Sequence, residues 1–210
     1  MTRIALFAGG DLQDFETDFD YFIGVDRGSL FLLENGLPLD MAIGDFDSVT
    51  VEEFKQITTA AKEVIKAPAA KNDTDTELAL KTILTRFPQA QLSLFGAFGG
   101  RLDHFMSNLF LPSDPALAPF MRQIRLRDYQ NLIEFYPSGT QSVEMVEGMT
   151  YVSFMADGDA DLTIEGAKYE LSAANFFKKK IYSSNEFTNK SIEVTLEHGY
   201  LIVIHSRDRS

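Results

Sequence analysis

Residues 41–48 read Met41-Ala42-Ile43-Gly44-Asp45-Phe46-Asp47-Ser48, a short apolar run that stops at a glycine and is followed at once by two carboxylates. A run this short, without polar alternation, suits a strand buried on both faces whose end opens into a loop. The same texture recurs on either side of it. Ile4 to Ala8, Tyr21 to Val25 and Gln91 to Phe95 are apolar runs that each end at Gly or Asp. Between residues 43 and 91, Thr74-Asp75-Thr76-Glu77 has capping-box spacing, and Leu80, Ile83, Leu84 and Phe87 follow at i, i+3, i+4 and i+7. These residues predict a helix start and one apolar face. From Arg101 onward Leu102, Phe105, Met106 and Leu109 repeat the spacing and predict a second helix with those four side chains turned inward. Strands alternating with helices predict an α/β domain with a mostly parallel sheet.

Beyond Asp128 the period changes to two. Val143 to Val146, Tyr151 to Met155, Leu162 to Ile164, Phe176 to Ile181, Ile192 to Leu196 and Leu201 to Ile204 are short strand candidates, separated by Gly148, Gly158, Gly166 and Gly199. That spacing predicts an all-β antiparallel sandwich or barrel. Pro112-Ser113-Asp114-Pro115 cannot easily continue a helix and reads as a loop within the first domain. The boundary therefore falls after it, giving domains 1–130 and 131–210. The run Lys178-Lys179-Lys180 reads as a solvated strand or turn face.

Asp plus Glu number 31 against 19 Lys plus Arg, a formal net charge of −12. Such a surface repels nucleic acid and anionic membranes, so neither is an expected partner. The chain has no cysteine, which excludes disulfides and cysteine metal sites and is compatible with a reducing compartment. Its start, MTRIALFAGGDLQDF, has the pattern of neither a signal peptide nor a membrane span, so a cytoplasmic protein is expected.

Acidic residues gather where the strands of the first half should end: Asp26 after Val25, Asp45 and Asp47 after Gly44, and Asp75 at the helix start. Ligands of open α/β sheets bind at that edge. Carboxylates collected there raise one another's pKa unless a cation joins them, and magnesium, a hard ion that bridges carboxylates to phosphates, is the natural choice. Taken one at a time, Asp73, Asp75 and Glu77 could simply complement a helix dipole, and Asp-x-Asp is common in turns. As a set they favour phosphate chemistry. A second candidate is Phe95-Gly96-Ala97-Phe98-Gly99-Gly100-Arg101-Leu102-Asp103-His104, in which glycines after a strand let backbone N–H groups approach an oxyanion at a helix N-terminus. No Gly-Lys-Ser/Thr follows, so it is not a Walker A loop. Arg101, His104 and Asn108 share one helical stripe, with a guanidinium suited to clamping phosphate. His198 and His205 have no partner at metal-ligand spacing and read as structural.

Together these segments resemble the thiamine pyrophosphokinase family. The resemblance is carried by Gly24-Val25-Asp26-Arg27-Gly28-Ser29, by Gly36-Leu37-Pro38-Leu39-Asp40-Met41-Ala42-Ile43-Gly44-Asp45-Phe46-Asp47-Ser48, by Thr74-Asp75-Thr76-Glu77-Leu78-Ala79-Leu80 and by Gly96 to His104. In the second half Gly166 to Leu171, Ser183-Ser184-Asn185-Glu186-Phe187 and Gly199 to Ile204 continue it. The resemblance implies an N-terminal nucleotide-binding catalytic domain, a C-terminal β-sandwich that binds thiamine, and a homodimer with active sites at the subunit interface. The implied reaction moves the pyrophosphoryl group of ATP to thiamine with Mg2+. It further implies that Asp45, Asp47 and Asp75 hold magnesium and the ATP phosphates and that Asp26 stands near the reacting groups. Arg101, Asp103 and the neighbouring His104 would serve the nucleotide, and Ser184 and Asn185 would contact thiamine. The chain departs from the family pattern in two places. Asn72 stands where an acidic residue is usual, leaving either Asp73 or the Asn72 amide as a substitute, and Arg27 stands where a small residue is usual. Two rival readings fit the same residues: a metal-dependent phosphohydrolase, and a non-catalytic sensor of a small cation.

Overall fold

Phe7 explains why the first half folds around its central strand. Its ring stacks on Phe22, Phe31 and Phe95 and meets Phe15 edge-on, with centroids 5.1 to 6.4 Å apart. It is completely buried. Aromatic rings at such distances gain about 0.5–1.5 kcal/mol per pair beyond their burial, so the cluster binds neighbouring strands and a helix into one core. The computed structural model describes residues 1–13, 15–67 and 72–208. They divide into two compact units, Met1–Tyr129 and Gln130–Ser210.

In the first unit the chain runs through β1 (Arg3–Phe7), β2 (Tyr21–Val25), α1 (Arg27–Glu34), β3 (Met41–Gly44), α2 (Val51–Ala60) and β4 (Glu63–Lys66). It continues through α3 (Asp75–Arg86), β5 (Gln91–Phe95), α4 (Leu102–Leu109), two short 3-10 turns and β6 (Ile124–Arg127). The strands are parallel in the order β6-β5-β1-β2-β3-β4. β1, β2 and β3 are buried at nearly every position, which is why their sequences are unbroken apolar runs. The chain moves outward from β1 through β2 to β4 and then returns to the other side of β1 with β5. The change of direction falls between β1 and β5, and the carboxyl edge at such a switch point is the usual ligand position in these sheets. Both α2 and α3 begin with a complete capping box, Thr50 with Glu53 and Thr74 with Glu77.

The second unit consists of β7 (Asn131–Val143), β8 (Tyr151–Ala156), β9 (Leu162–Glu165), β10 (Ile181–Asn185) and β11 (Ile192–Ser206), all antiparallel. β11 pairs with β7 along one edge. Its other edge is shared, with β9 on residues 193–196 and β8 on residues 201–206. Val152, Phe154, Leu162, Ile164, Val194, Leu196, Leu201 and Val203 meet in one buried core. No helix among the described residues is long and apolar enough to cross a membrane.

Several expectations need correction. Ile192 to Leu196 and Leu201 to Ile204 are one strand, because the register shift between Leu196 and Tyr200 absorbs Glu197, His198 and Gly199 as a bulge and pairing resumes. Val143 to Val146 is not a separate strand, since Val143 ends the long β7. In place of a strand over Phe176 to Ile181, pairing starts only at Ile181, and Lys178, Lys179 and Lys180 are exposed before it. The inward stripe of α4 holds only at its far end, where Leu109 is buried and Phe105 half-buried. Leu102 and Met106 are 72% and 40% exposed, whereas Asn108 is buried and donates to the Ala97 carbonyl at 3.2 Å.

Candidate active site

The ends of β2 and β3 are laced together around Asp26. Its N–H donates to the Ile43 carbonyl at 3.1 Å, and its Oδ1 accepts the Phe46 N–H at 3.1 Å. Asp26 and Phe46 both have positive φ, 46° and 61°. Such backbone is uncommon outside glycine and persists where surrounding structure holds it. Here the hold is visible, because the Phe46 ring is buried against Phe54 at 4.9 Å. Gly44 leaves the room that the carboxylate occupies, since a Cβ there would stand 1.9 Å from Asp26 Oδ1. Asp45 follows Gly44 and accepts the Asp47 N–H at 3.1 Å. Asp75 opens α3, placed there by the Thr74 cap.

Among the described residues, Asp26, Asp45 and Asp75 form a group whose ligand oxygens lie within 4.8 Å of one another. The electrostatic cost falls on Asp26. Burial first and Asp75 second, reinforced by Asp45 and Asp47 and opposed by the Phe46 N–H, raise its carboxyl from 3.8 to about 7. A half-buried acid among like charges gains most from a cation, and the all-oxygen donor set fits a hard ion such as magnesium. Asp47 lies outside this trio and lines the adjoining cleft.

The cleft has a volume of about 650 Å³ and lies at the carboxyl ends of β1, β2 and β5. Gly9, Gly10, Gly96, Gly99 and Gly100 line it together with Asp26, Asp75, Arg101, His104 and Asn108. Gly10 has no room for a side chain, because a Cβ would meet the Gly96 and Phe98 carbonyl oxygens at 2.3 Å. Its N–H donates to the Gly96 carbonyl at 3.0 Å, joining the two loops. Arg101 is held by Asp103 through both its Nε and an amino nitrogen, and this pairing draws the Asp103 carboxyl down to about 2. Arg27, also on the cleft wall, donates to the Ser48 carbonyl at 3.1 Å. Gly9, Gly10, Thr76 and Ser107 are cleft-lining residues that the sequence reading did not single out. A glycine pair directly after β1, matching the pair after β5, was the available signal.

Ser184 and Asn185 belong to the second unit. They line a separate pocket of about 570 Å³ with Tyr169, Glu170, Phe177 and Tyr182. Ser184 is exposed with φ 59°, whereas Asn185 is buried. The Asn185 side chain accepts the Tyr169 N–H at 3.0 Å and the Glu186 N–H at 2.9 Å, and donates to the Tyr169 carbonyl at 2.7 Å. His205 is buried, stacked on Phe187 and 3.5 Å from Glu134, whereas His198 is exposed in the β11 bulge.

A parallel sheet with a carboxylate- and glycine-lined cleft at its switch point, followed in the chain by an antiparallel unit with its own pocket, defines a ligand-binding α/β protein with a second binding unit. Comparison with known families narrows this. A model described as thiamin pyrophosphokinase, catalytic domain, matches residues 12–116, and one described as thiamin pyrophosphokinase, vitamin B1 binding domain, matches residues 140–201. The chain belongs to the thiamin pyrophosphokinase family. It is 34% identical to thiamine pyrophosphokinase of Bacillus subtilis, over 99% of this chain and 100% of that protein. Among solved structures, a thiamin pyrophosphokinase family protein from Enterococcus faecalis superposes with a TM-score of 0.92 at 40% identity, covering 99% of this chain and 100% of that one. A protein from Lactobacillus plantarum gives 0.88 at 33% identity, with both chains fully covered.

Proposed function

We propose that this chain transfers the pyrophosphoryl group of ATP to the hydroxyethyl group of thiamine, giving thiamine diphosphate and AMP. The observation that carries the proposal is the convergence of Asp26, Asp45 and Asp75 beside a glycine-lined cleft, in a chain matched by both family domains. In this reaction the thiamine hydroxyl oxygen bonds to the β-phosphorus, the bond from that phosphorus to the α–β bridging oxygen breaks, and AMP leaves with that oxygen. The hydroxyl proton passes to solvent or to a carboxylate. Such transfers require in-line placement and neutralised charge more than covalent help from the protein.

Asp26, Asp45 and Asp75 would hold Mg2+, with Asp47 reaching the cleft beside them. When bound, the ion would neutralise charge on the phosphate oxygens and fix their orientation. Backbone N–H groups of the Gly96 to Gly100 loop and the N-terminus of α4 would face the phosphates. Arg101 would exchange its Asp103 partner for a phosphate, with His104 on the same wall. Asp26, rigidly held, would stand nearest the reacting groups. On this reading residues 1–130 are the catalytic, nucleotide-binding domain and residues 131–210 a thiamine-binding β-sandwich. The Tyr169, Phe177 and Tyr182 rings and the Glu170 carboxylate around the second pocket suit a cationic aromatic ligand. Ser184 would contact thiamine directly, while Asn185 would shape the pocket through Tyr169. Following the family resemblance, the working form is a cytoplasmic homodimer with its active sites at the subunit interface.

Two labelled substrates test the reaction. With thiamine and magnesium present, label from the α-phosphate of ATP should appear in AMP and label from the γ-phosphate in thiamine diphosphate. Release of inorganic phosphate without thiamine would establish a phosphohydrolase instead, and no turnover with retained thiamine binding would establish a sensor.

A further inference from the structure

Lys81 lies two turns into α3. Its ammonium sits 2.9 Å from Asp73 Oδ1 and 2.6 Å from Asp114 Oδ2. The two carboxylates adjoin different cleft-lining segments, Thr74–Thr76 on one side and Arg101–Asn108 on the other, without lining the cleft themselves. Asp73 immediately precedes the Thr74 cap and Asp75, while Asp114 follows α4 and the 3-10 turn Leu111–Ser113.

Asp114 is itself firmly anchored. Its side chain accepts the Ala116 N–H at 2.7 Å, and its carbonyl accepts the N–H groups of Leu117 and Ala118 at 3.0 and 2.8 Å. Leu111 and Leu117 on either side are buried. The three charged side chains are only 22% to 33% exposed, so solvent screens their attraction less than at an open surface. Burial alone would lower the Lys81 ammonium, but the hydrogen bonds it donates to Asp114 and Asp73 more than offset this and hold it above the usual lysine range.

We propose that Lys81 is a positioning residue for the candidate active site: by clamping Asp73 to Asp114 it sets the Asp75 wall at a fixed distance from the Arg101–Asn108 wall. The inference rests on the reading of Asp26, Asp45 and Asp75 as the cation site. It also assigns Asp73, the acid beside Asn72, to the clamp instead of to the metal. Lys81 touches no substrate in this role. Its loss leaves two carboxylates repelling each other at the base of the turn that carries Asp75.

The test is equilibrium binding of Mn2+, read by electron paramagnetic resonance on the full chain, with circular dichroism and thermal melting on each variant. Lys81→Met should weaken Mn2+ binding about tenfold, the size of effect expected from residues that orient metal ligands. Lys81→Arg should recover most of the affinity. Asp114→Asn, which keeps the Lys81–Asp73 contact, should give a smaller loss and serves as the readout should Lys81→Met not fold. Adding Asp73→Asn to Lys81→Met should weaken binding no further, because both remove one clamp. Wild-type Mn2+ affinity in folded Lys81→Met or Asp114→Asn, with only the melting temperature lowered, would overturn the proposal. The control Asp75→Asn separates the two failures: wild-type affinity in that variant would mean that the cation site itself is misplaced.

Discussion

The two units handle polar residues in opposite ways. In Met1–Tyr129 the polar side chains of interest stand at loop and helix starts beyond a buried parallel sheet, so Asp26, Asp45 and Asp75 crowd together and the Asp26 carboxyl is pushed up. In Gln130–Ser210 they stand on or beside strands, and Asn185 has its polar atoms engaged by backbone within the fold. The first arrangement favours function at the expense of electrostatic comfort and the second builds a pocket wall. Substitutions should therefore cost activity in one unit and stability or acceptor affinity in the other.

The largest expected effect is on turnover. Asp45→Asn and Asp75→Asn should each lower kcat by about a hundredfold or more while leaving the circular dichroism spectrum and the KM for thiamine nearly unchanged. Near-native turnover in either variant would remove that residue from the cation site.

Next in size is a pH effect confined to the first unit. The folded-state value of Asp26, about 7, lies above its ordinary 3.8. The proton-bound form therefore stabilises the fold, a contribution complete below about pH 4 and lost as pH rises through about 7. In the presence of EDTA, wild type should lose several degrees of melting temperature relative to Asp26→Asn between about pH 5 and pH 8. A difference between the two proteins that stays constant over this range would contradict the charge assignment.

In the second unit Asn185→Ala should destabilise by about 2–3 kcal/mol, because backbone donors and an acceptor lose their partners in a buried place. Denaturant unfolding measures this directly, and an unchanged midpoint would refute it. The smallest effect should come from Ser184→Ala, whose loss of one exposed hydroxyl should raise the KM for thiamine about fivefold and leave the KM for ATP unaltered. A change in the ATP value instead would erase the division of labour between the units.

The same contrast explains what could be read in advance. Tyr21 to Val25 coincides with β2 because a strand buried on both faces is written as an apolar run with an abrupt end, and Gln91 to Phe95 coincides with β5, whose Leu92, Leu94 and Phe95 are buried. The Thr74–Glu77 box located α3 because side-chain capping is local chemistry. An equivalent box at Thr50 and Glu53 went unread, and with it α2, although the signal was present. β4 was missed for a different reason: at the sheet edge Glu63 and Lys66 flank only Val64 and Ile65, too brief an apolar signal.

β7 runs through Pro137-Ser138-Gly139, a turn-like string, because the partner strand bulges at the facing position: Gly139 pairs with Leu196 and Pro137 with Tyr200. Such compensation between residues far apart in the chain is invisible to local reading. In the site, the carboxylates and glycines were legible because parallel strands deliver their ends to one edge. That Asp26, and not Asp47, completes the close trio depends on the positive φ of Asp26 and Phe46, which no spacing rule conveys.

The measurement that bears most directly on this account is a calorimetric titration of the protein with a non-hydrolysable ATP analogue, in magnesium and again in EDTA. Tight binding that needs magnesium, and that loses its magnesium dependence in Asp26→Asn, Asp45→Asn and Asp75→Asn, is the predicted result. Equal affinity in both buffers, or full magnesium dependence in all three variants, would show that these carboxylates do not hold the cation that grips the triphosphate.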